Sequence, residues 1–243
     1  FGDSPVTVKD GSVYTLTSFF MSNWKKYTDY FGEIHAVLRQ RDSKKELNDE
    51  QKIVFPVNVI TFPSIALPTE RVRNLSVARK IVKEAIKDCD AAIIKVPTFI
   101  GAEAIKLAEK YNKPYFIEVG ECIFDSLIAE KNVFKIIAAP ILYVWHRHLI
   151  RHTKYGIYVT KAYLQRRYPL VKGGIYASCS NVTIPSVQES VLEKRLSKIK
   201  NMNKGTIELA TVGNMTNKLK ALDVALVALK HQCLSDTDVV LHI

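Results

Sequence analysis

Residues 89–120, CDAAIIKVPTFIGAEAIKLAEKYNKPYFIEVG, constrain the fold more tightly than any other stretch of the chain. Residues 91–96 form a short apolar run, the pattern of a strand buried on both faces. Pro97 stops the run, and Gly101 sits where a helix begins. Ile100, Ala104, Leu107, Ala108 and Tyr111 then recur at helical spacing, with Glu103, Lys106, Glu109 and Lys110 on the other face. Asn112 and Pro114 end that helix, and residues 115–119 read as a second buried strand. Strands joined through a helix in this way make a right-handed crossover in a parallel sheet. The predicted class is α/β.

Ligands of parallel sheets bind beyond the carboxyl ends of the strands. Two loops leave such ends here, residues 95–101 (KVPTFIG) and 118–125 (EVGECIFD). The second holds the carboxylates of Glu118, Glu121 and Asp125, the first place to look for chemistry. Acids so spaced also serve simply to solvate a loop or cap a helix, and spacing alone leaves both readings open.

The flanks extend the pattern in both directions. Residues 1–17 read as loop, with Gly2, Pro5 and Asp10-Gly11 as turn signals. Phe20, Trp24, Tyr27 and Phe31 mark one face of a helix that Gly32 ends. Residues 33–40 read as a strand with no parallel neighbour before it, so the chain is expected to have lost its first strand. Residues 52–60 are extended and interrupted by Pro56, 61–69 read as loop, and 70–87 as a helix with Leu75, Ala78, Val82, Ala85 and Ile86 inward.

Residues 133–152 begin apolar and end basic, with Pro140 expected to kink or restart the helix. That pattern fits either a membrane-interface helix, with Arg147, His148, Arg151, His152 and Lys154 toward lipid headgroups, or a core helix with a solvated basic end. His146, His148 and His152 have no local carboxylate or cysteine to complete a metal site, and none is expected. Residues 155–160 and 175–184 are extended, and the SVQE of residues 186–189 has the form of a capping box. A second α/β unit starts with a strand at 207–212, a loop at 213–217, a helix carrying Leu219, Leu222, Leu226 and Leu229, and a strand at 238–243. The predicted organisation is a Rossmann-like domain over 1–185, a helical linker over 186–205, and the start of another Rossmann-like domain over 206–243. One such unit is too small to bury its own sheet.

The loop at 213–220 (GNMTNKLK) lies between a strand and a helix N-terminus, where backbone N–H groups attract phosphate. Lys218 would add a point charge there, unless it is an ordinary surface lysine. Neither GxxxxGK[ST] nor GxGxxG occurs, which argues against a Walker loop or a dinucleotide cofactor. The net charge of +11 suggests anionic partners. The four cysteines, without a CxxC, suit free thiols in a reducing cytoplasm. No run of eighteen apolar residues occurs, so no membrane-spanning helix is expected. No nucleic-acid-binding signature accompanies the charge.

Several stretches together resemble one family. Residues 91–101 (AAIIKVPTFIG), 112–119 (NKPYFIEV), 158–160 (YVT), 164–169 (LQRRYP) and 180–182 (SNV), in this order and spacing, are similar to bacterial glycosyltransferases of the GT-B fold. The closest group is the family 4 enzymes of capsular and exopolysaccharide assembly. Residues 209–213 (LATVG), followed by Lys218 and an apolar helix, resemble the start of their nucleotide-binding domain. The resemblance runs from about residue 13 to 243.

It implies transfer of a sugar from a nucleotide-diphosphate donor to a lipid-linked or saccharide acceptor, with retention and without metal or other cofactor. The N-terminal domain would hold the acceptor along Lys95, Thr98 and Gly101, with Glu118, Glu121 and Asp125 as catalytic candidates. Gly213, Asn214 and Lys218 would face the donor diphosphate. Asn214 stands where the family has an arginine, and the family's E-x7-E segment would lie beyond Ile243. The resemblance places such a protein in the cytoplasm, peripheral at the inner membrane face. By itself the chain is expected not to turn over sugar nucleotide. The competing reading is a non-catalytic module of the same fold that binds an anionic lipid or glycan.

Overall fold

The computed structural model describes residues 1–17, 19–44, 46–180, 186–201, 207–211, 222–230 and 239–242. Its fold is α/β and Rossmann-like. The chain divides into two units, Phe1–Phe124 with Pro140–Thr183, and Asp125–Ala139 with Ile184–Ile243.

The chain opens on a hairpin, β1 (Pro5–Lys9) and β2 (Ser12–Thr15), paired from Val6↔Thr15 to Lys9↔Ser12. Asp10 and Gly11 have φ of 50° and 70°, as a tight hairpin turn requires. Helix α1 (Met21–Phe31) follows and stops at Gly32, φ 72°. Next come β3 (Ile34–Gln40), β4 (Lys52–Ile53), β5 (Val57–Pro63) and α2 (Pro68–Asp88). Pro68 suits the first position of α2, where its missing N–H would have no helical acceptor. The Glu70 carboxylate accepts the Leu67 N–H at 3.1 Å and the Ser64 hydroxyl at 2.7 Å, so the helix start is capped from within.

The central crossover consists of β6 (Ala92–Val96), α3 (Phe99–Lys110) and β7 (Tyr115–Val119). After it come α4 (Ile123–Ala129), α5 (Val133–Ile150), β8 (Tyr155–Tyr158), α6 (Tyr163–Arg167) and β9 (Ile175–Ser178). Strands β6-β7-β8-β9 form a parallel sheet in that order, and β4-β2-β1-β3-β5 a mixed one. Residues 1 and 2 join them: the Phe1 amino group donates to the Ile93 carbonyl at 2.7 Å, and the Gly2 N–H to that of Val37 at 3.1 Å. Helices α2 and α3 cover one face, where Val82, Ile86, Ile94, Ile105 and Ile117 are fully buried. Helix α1 packs Trp24 and Tyr27 against Ala36, Leu38 and Val57 in a second cluster.

The other unit contains α7 (Glu189–Lys200), β10 (Ile207–Ala210), α8 (Leu222–Ala228) and β11 (Val239–His242). Strands β10 and β11 pair in parallel, Ile207↔Val239 to Ala210↔His242. Val224, Leu226 and Val227 of α8 are exposed.

The structure corrects several expectations. Residues 1–17 are a hairpin and not loop, because Val6 and Val8 alternate with Thr7 and Lys9 and the Asp10-Gly11 signal is a strand-to-strand turn. β3 does have a parallel neighbour, β1, paired at Pro5↔Arg39 and Val6↔Gln40. β6 is sealed on one face: Ala92, Ile94 and Val96 are buried, whereas Ile93 and Lys95 on the other are half-buried. β5 and α2 both reach into the stretch read as loop, leaving residues 64–67 between them. The capping box at 186–189 does not form, because Glu189 is itself the first helical residue of α7 and the Gln188 side chain makes no cap bond. Helix α5 runs through Pro140 without a break.

Candidate functional site

Pairing between β6 and β7 sets Lys95 beside Glu118, each one residue short of its strand's carboxyl end. In a parallel pair, residues in register project to the same face. Both therefore stand on the face that α2 and α3 leave open. Burial holds the Lys95 ammonium below its ordinary pKa, and the Glu118 charge opposes that shift. The ammonium lies 4.2 Å from the Phe19 ring centroid, a cation–π contact.

Glu118 is tied down from α1. The Tyr27 hydroxyl donates to both carboxylate oxygens, at 2.7 and 2.9 Å. Burial, reinforced by the neighbouring carboxylate, raises the phenol's pKa, so Tyr27 stays a donor. Phe19 meets Trp24 edge-on at 5.1 Å, and Trp24 lies 6.1 Å from Tyr27. The result is a carboxylate and a cation side by side against an aromatic wall. Lys95, Phe19, Trp24 and Tyr27 line a groove of about 1410 Å³ that also reaches Ile93 and Phe116. A carboxylate is a group that can take a proton from a hydroxyl, and an ammonium one that can hold a negative charge.

Thr98 and Gly101 are occupied in building the turn. Thr98 caps α3: its hydroxyl accepts the Gly101 N–H at 2.8 Å and donates to the Lys95 carbonyl at 3.1 Å. A side chain at Gly101 would set its Cβ 2.2 Å from that same carbonyl oxygen. Both residues fix the backbone of Lys95.

Glu121 is exposed in the turn between β7 and α4, and Asp125 lies in the first turn of α4. That turn is anchored by phenols. Tyr168 accepts the Ile123 N–H at 3.1 Å, and Tyr158 donates to the Tyr168 carbonyl at 2.6 Å. Gly213, Asn214 and Lys218 lie outside the described residues.

The histidines of α5 and of the turn after it part company. His146 is fully buried, whereas the rings of His148 and His152 meet at 5.0 Å. Among the described residues no three His, Cys, Asp or Glu side chains gather as a metal site would need. Helix α5 is long and apolar enough to cross a membrane by length and composition, with mean hydropathy 1.2, although charged residues break its apolar run. Phe134, Ile137, Ile141 and Val144 are exposed at spacings of three and four, so they form one stripe along the helix.

Sequence reading missed the contribution of Tyr27 to the site. Its helical periodicity marked it only as a packing residue. Its partner Glu118 is 91 positions away.

No protein family model matches the chain. Over 183 residues it is 28% identical to Protein CapJ of Staphylococcus aureus, covering 74% of this chain and 46% of that protein. The chain thus spans about half the length of the curated relative it matches.

Proposed function

We propose that this chain is the acceptor-side portion of a glycosyltransferase of capsule-type surface polysaccharide synthesis. It would act with a sugar-nucleotide-binding half to move a sugar onto a lipid-linked or saccharide acceptor, with retention. The observation that carries this reading is the Lys95–Glu118 pair at the carboxyl ends of adjacent parallel strands, beside an open aromatic groove. Similarity to Protein CapJ and the resemblance to GT-B enzymes support it.

In this reading Glu118, held by Tyr27, orients the acceptor hydroxyl, and Lys95 holds an acceptor phosphate. Glu121 and Asp125 lie on the following turn and helix and would complete the acceptor side. Gly213, Asn214 and Lys218 would meet the donor diphosphate, where a cation stabilises the departing charge. No metal takes part, and the nucleotide sugar is a substrate.

The test is transfer by the complete protein. Glu118→Gln keeps the shape of the side chain and removes its charge. We expect transfer to fall at least about tenfold, the lower end of what positioned proton transfer contributes, with the thermal midpoint little changed. An unchanged rate would remove Glu118 from the chemistry. Protection by an anionic lipid or a glycan, with no sugar nucleotide bound, would establish the binding-module reading instead.

The same proposal places the protein at the cytoplasmic membrane face. The apolar stripe of α5 adjoins Arg147, His148, Arg151, His152 and Lys154, a combination suited to an anionic bilayer. In flotation assays the chain should bind vesicles containing phosphatidylglycerol more tightly than neutral ones. Phe134→Asp with Ile141→Asp should weaken that binding about tenfold or more, since each removes an exposed apolar side chain that the bilayer would bury. Equal binding by the double variant would assign the stripe to another partner.

A further inference from the structure

We propose that two copies of this chain pair through the outer edge of β5, antiparallel about a two-fold axis at Val59, so that one mixed sheet continues into the other. This surface is separate from the Lys95–Glu118 site.

β5 is the last strand of its sheet, with β3 on one side only. Its register with β3 is unbroken from Ile34↔Val57 to Gln40↔Pro63. The Ile34 N–H donates to the Pro56 carbonyl at 2.9 Å, which fixes the phase of the ladder. Successive residues of a strand then turn their main-chain groups to opposite sides. Asn58, Ile60 and Phe62 bond to β3, and Val57, Val59 and Thr61 point outward. The Val57 N–H is taken by the Val54 carbonyl at 3.1 Å. The N–H groups of Val59 and Thr61 and the carbonyls of Val57, Val59 and Thr61 have no hydrogen-bond partner among the described residues.

These groups complement themselves. When Val59 lies opposite its own counterpart in an antiparallel pair, each Val59 N–H meets the other's carbonyl. Each Thr61 N–H then meets the Val57 carbonyl of the second copy. Every outward donor of both copies is matched. A two-fold contact needs such a patch, because the same surface must serve on both sides.

The side chains favour the same occupant. Open edges are commonly blunted by charged residues or a bulge. β5 has neither: residues 53–69 hold no charged side chain, and the register with β3 has no extra residue. Pro56 and Pro63 lack the N–H that would carry a ladder further, so they confine the pairing to residues 57–61. Lys52 and Glu70 bound the uncharged stretch, and an antiparallel arrangement sets these opposite charges at each end. The exposed Val54 and Phe55 before one β5 come beside Pro63 of the second copy and the loop that carries its exposed Leu67. β9, the outer strand of the parallel sheet, offers less: it has four residues, against seven in β5.

Sedimentation and hydrogen exchange on the complete protein test the proposal. A monomer should give way to a dimer as concentration rises, and exchange at the Val59 and Thr61 amides should slow at least about tenfold in the dimer. Val59→Pro removes an outward donor without touching a bond to β3. Val59→Lys sets like charges opposite each other across the axis. Each variant should stay monomeric where the natural chain is a dimer. Tyr176→Lys, an exposed change on β9, should dimerise as the natural chain does. A monomer at every concentration overturns the proposal. So does a dimer whose Val59 and Thr61 amides exchange as in the monomer, or one that persists in either folded Val59 variant. Loss of the dimer in Tyr176→Lys alone moves the contact to β9 and overturns it too. Where a Val59 variant fails to fold, exchange in the natural chain decides.

Discussion

Gly101→Ala should cost the first unit about 2–4 kcal/mol, a large part of the roughly 5–15 kcal/mol that holds a domain folded. The added Cβ would meet the Lys95 carbonyl oxygen at 2.2 Å, the Thr98 hydroxyl at 2.9 Å and the Val96 side chain at 3.2 Å. The nearest of these is backbone, so no rotamer change relieves it. Overpacking alone costs about 1–3 kcal/mol. The turn must also move, which weakens the Thr98 cap, and losing such a cap costs about 1 kcal/mol. Gly120→Ala is the control. Nothing lies within 4 Å of its Cβ position, so its effect should stay within about 0.5 kcal/mol. Chemical denaturation of the two variants checks both values. Equal stability would mean that the 95–101 turn yields freely, and Gly101 would lose its packing role.

Stability should fall by roughly 2–3 kcal/mol between pH 7 and pH 4.5 through His146 alone. The ring is fully buried, and neither nitrogen has a hydrogen-bond partner among the described residues. Desolvation lowers its pKa to about 4 from an ordinary 6.5. Above about 6.5 the ring is neutral in both states and contributes nothing to the pH dependence. As pH falls toward 4, the unfolded chain takes up a proton that the native chain refuses, so unfolding gains. Asp3 works in the opposite direction, since burial holds its carboxyl above the usual range. The difference between the chain and His146→Leu isolates the histidine. The variant's stability should drop less on the acid side, and parallel pH profiles would show that the ring is solvated.

The central crossover was legible because its signals are local. Periodicity over residues 100–111, bounded by Pro97 and Pro114, fixes α3 and leaves apolar runs on either side. The structure starts β6 one residue later than expected and keeps residues 115–119 as β7. Once that crossover is granted, parallel register brings Lys95 and Glu118 together. The Tyr27–Glu118 bond and the joining of the sheets by Phe1 and Gly2 were not legible, since they depend on pairings between residues far apart in the chain that no local pattern encodes. The hairpin at residues 5–15 was lost for a different reason. Its turn residues were visible, but the four- and five-residue strands beside them are too short to outweigh a loop signal. Lys95 shows both sides: its place at a strand end was readable, whereas its half-burial against Phe19 was not.

The phenols of Tyr158 and Tyr168 have a thermodynamic consequence for the turn they anchor. Tyr168 holds the amide of Ile123, next to Cys122 and Glu121, while its own carbonyl is held by Tyr158 at the end of β8. Fixing one residue's backbone costs about 1–2 kcal/mol in conformational entropy. Here that loss is taken when the sheet folds. A ligand that reaches Glu121 therefore meets a preorganised turn, and less of its contact energy is offset by ordering the protein.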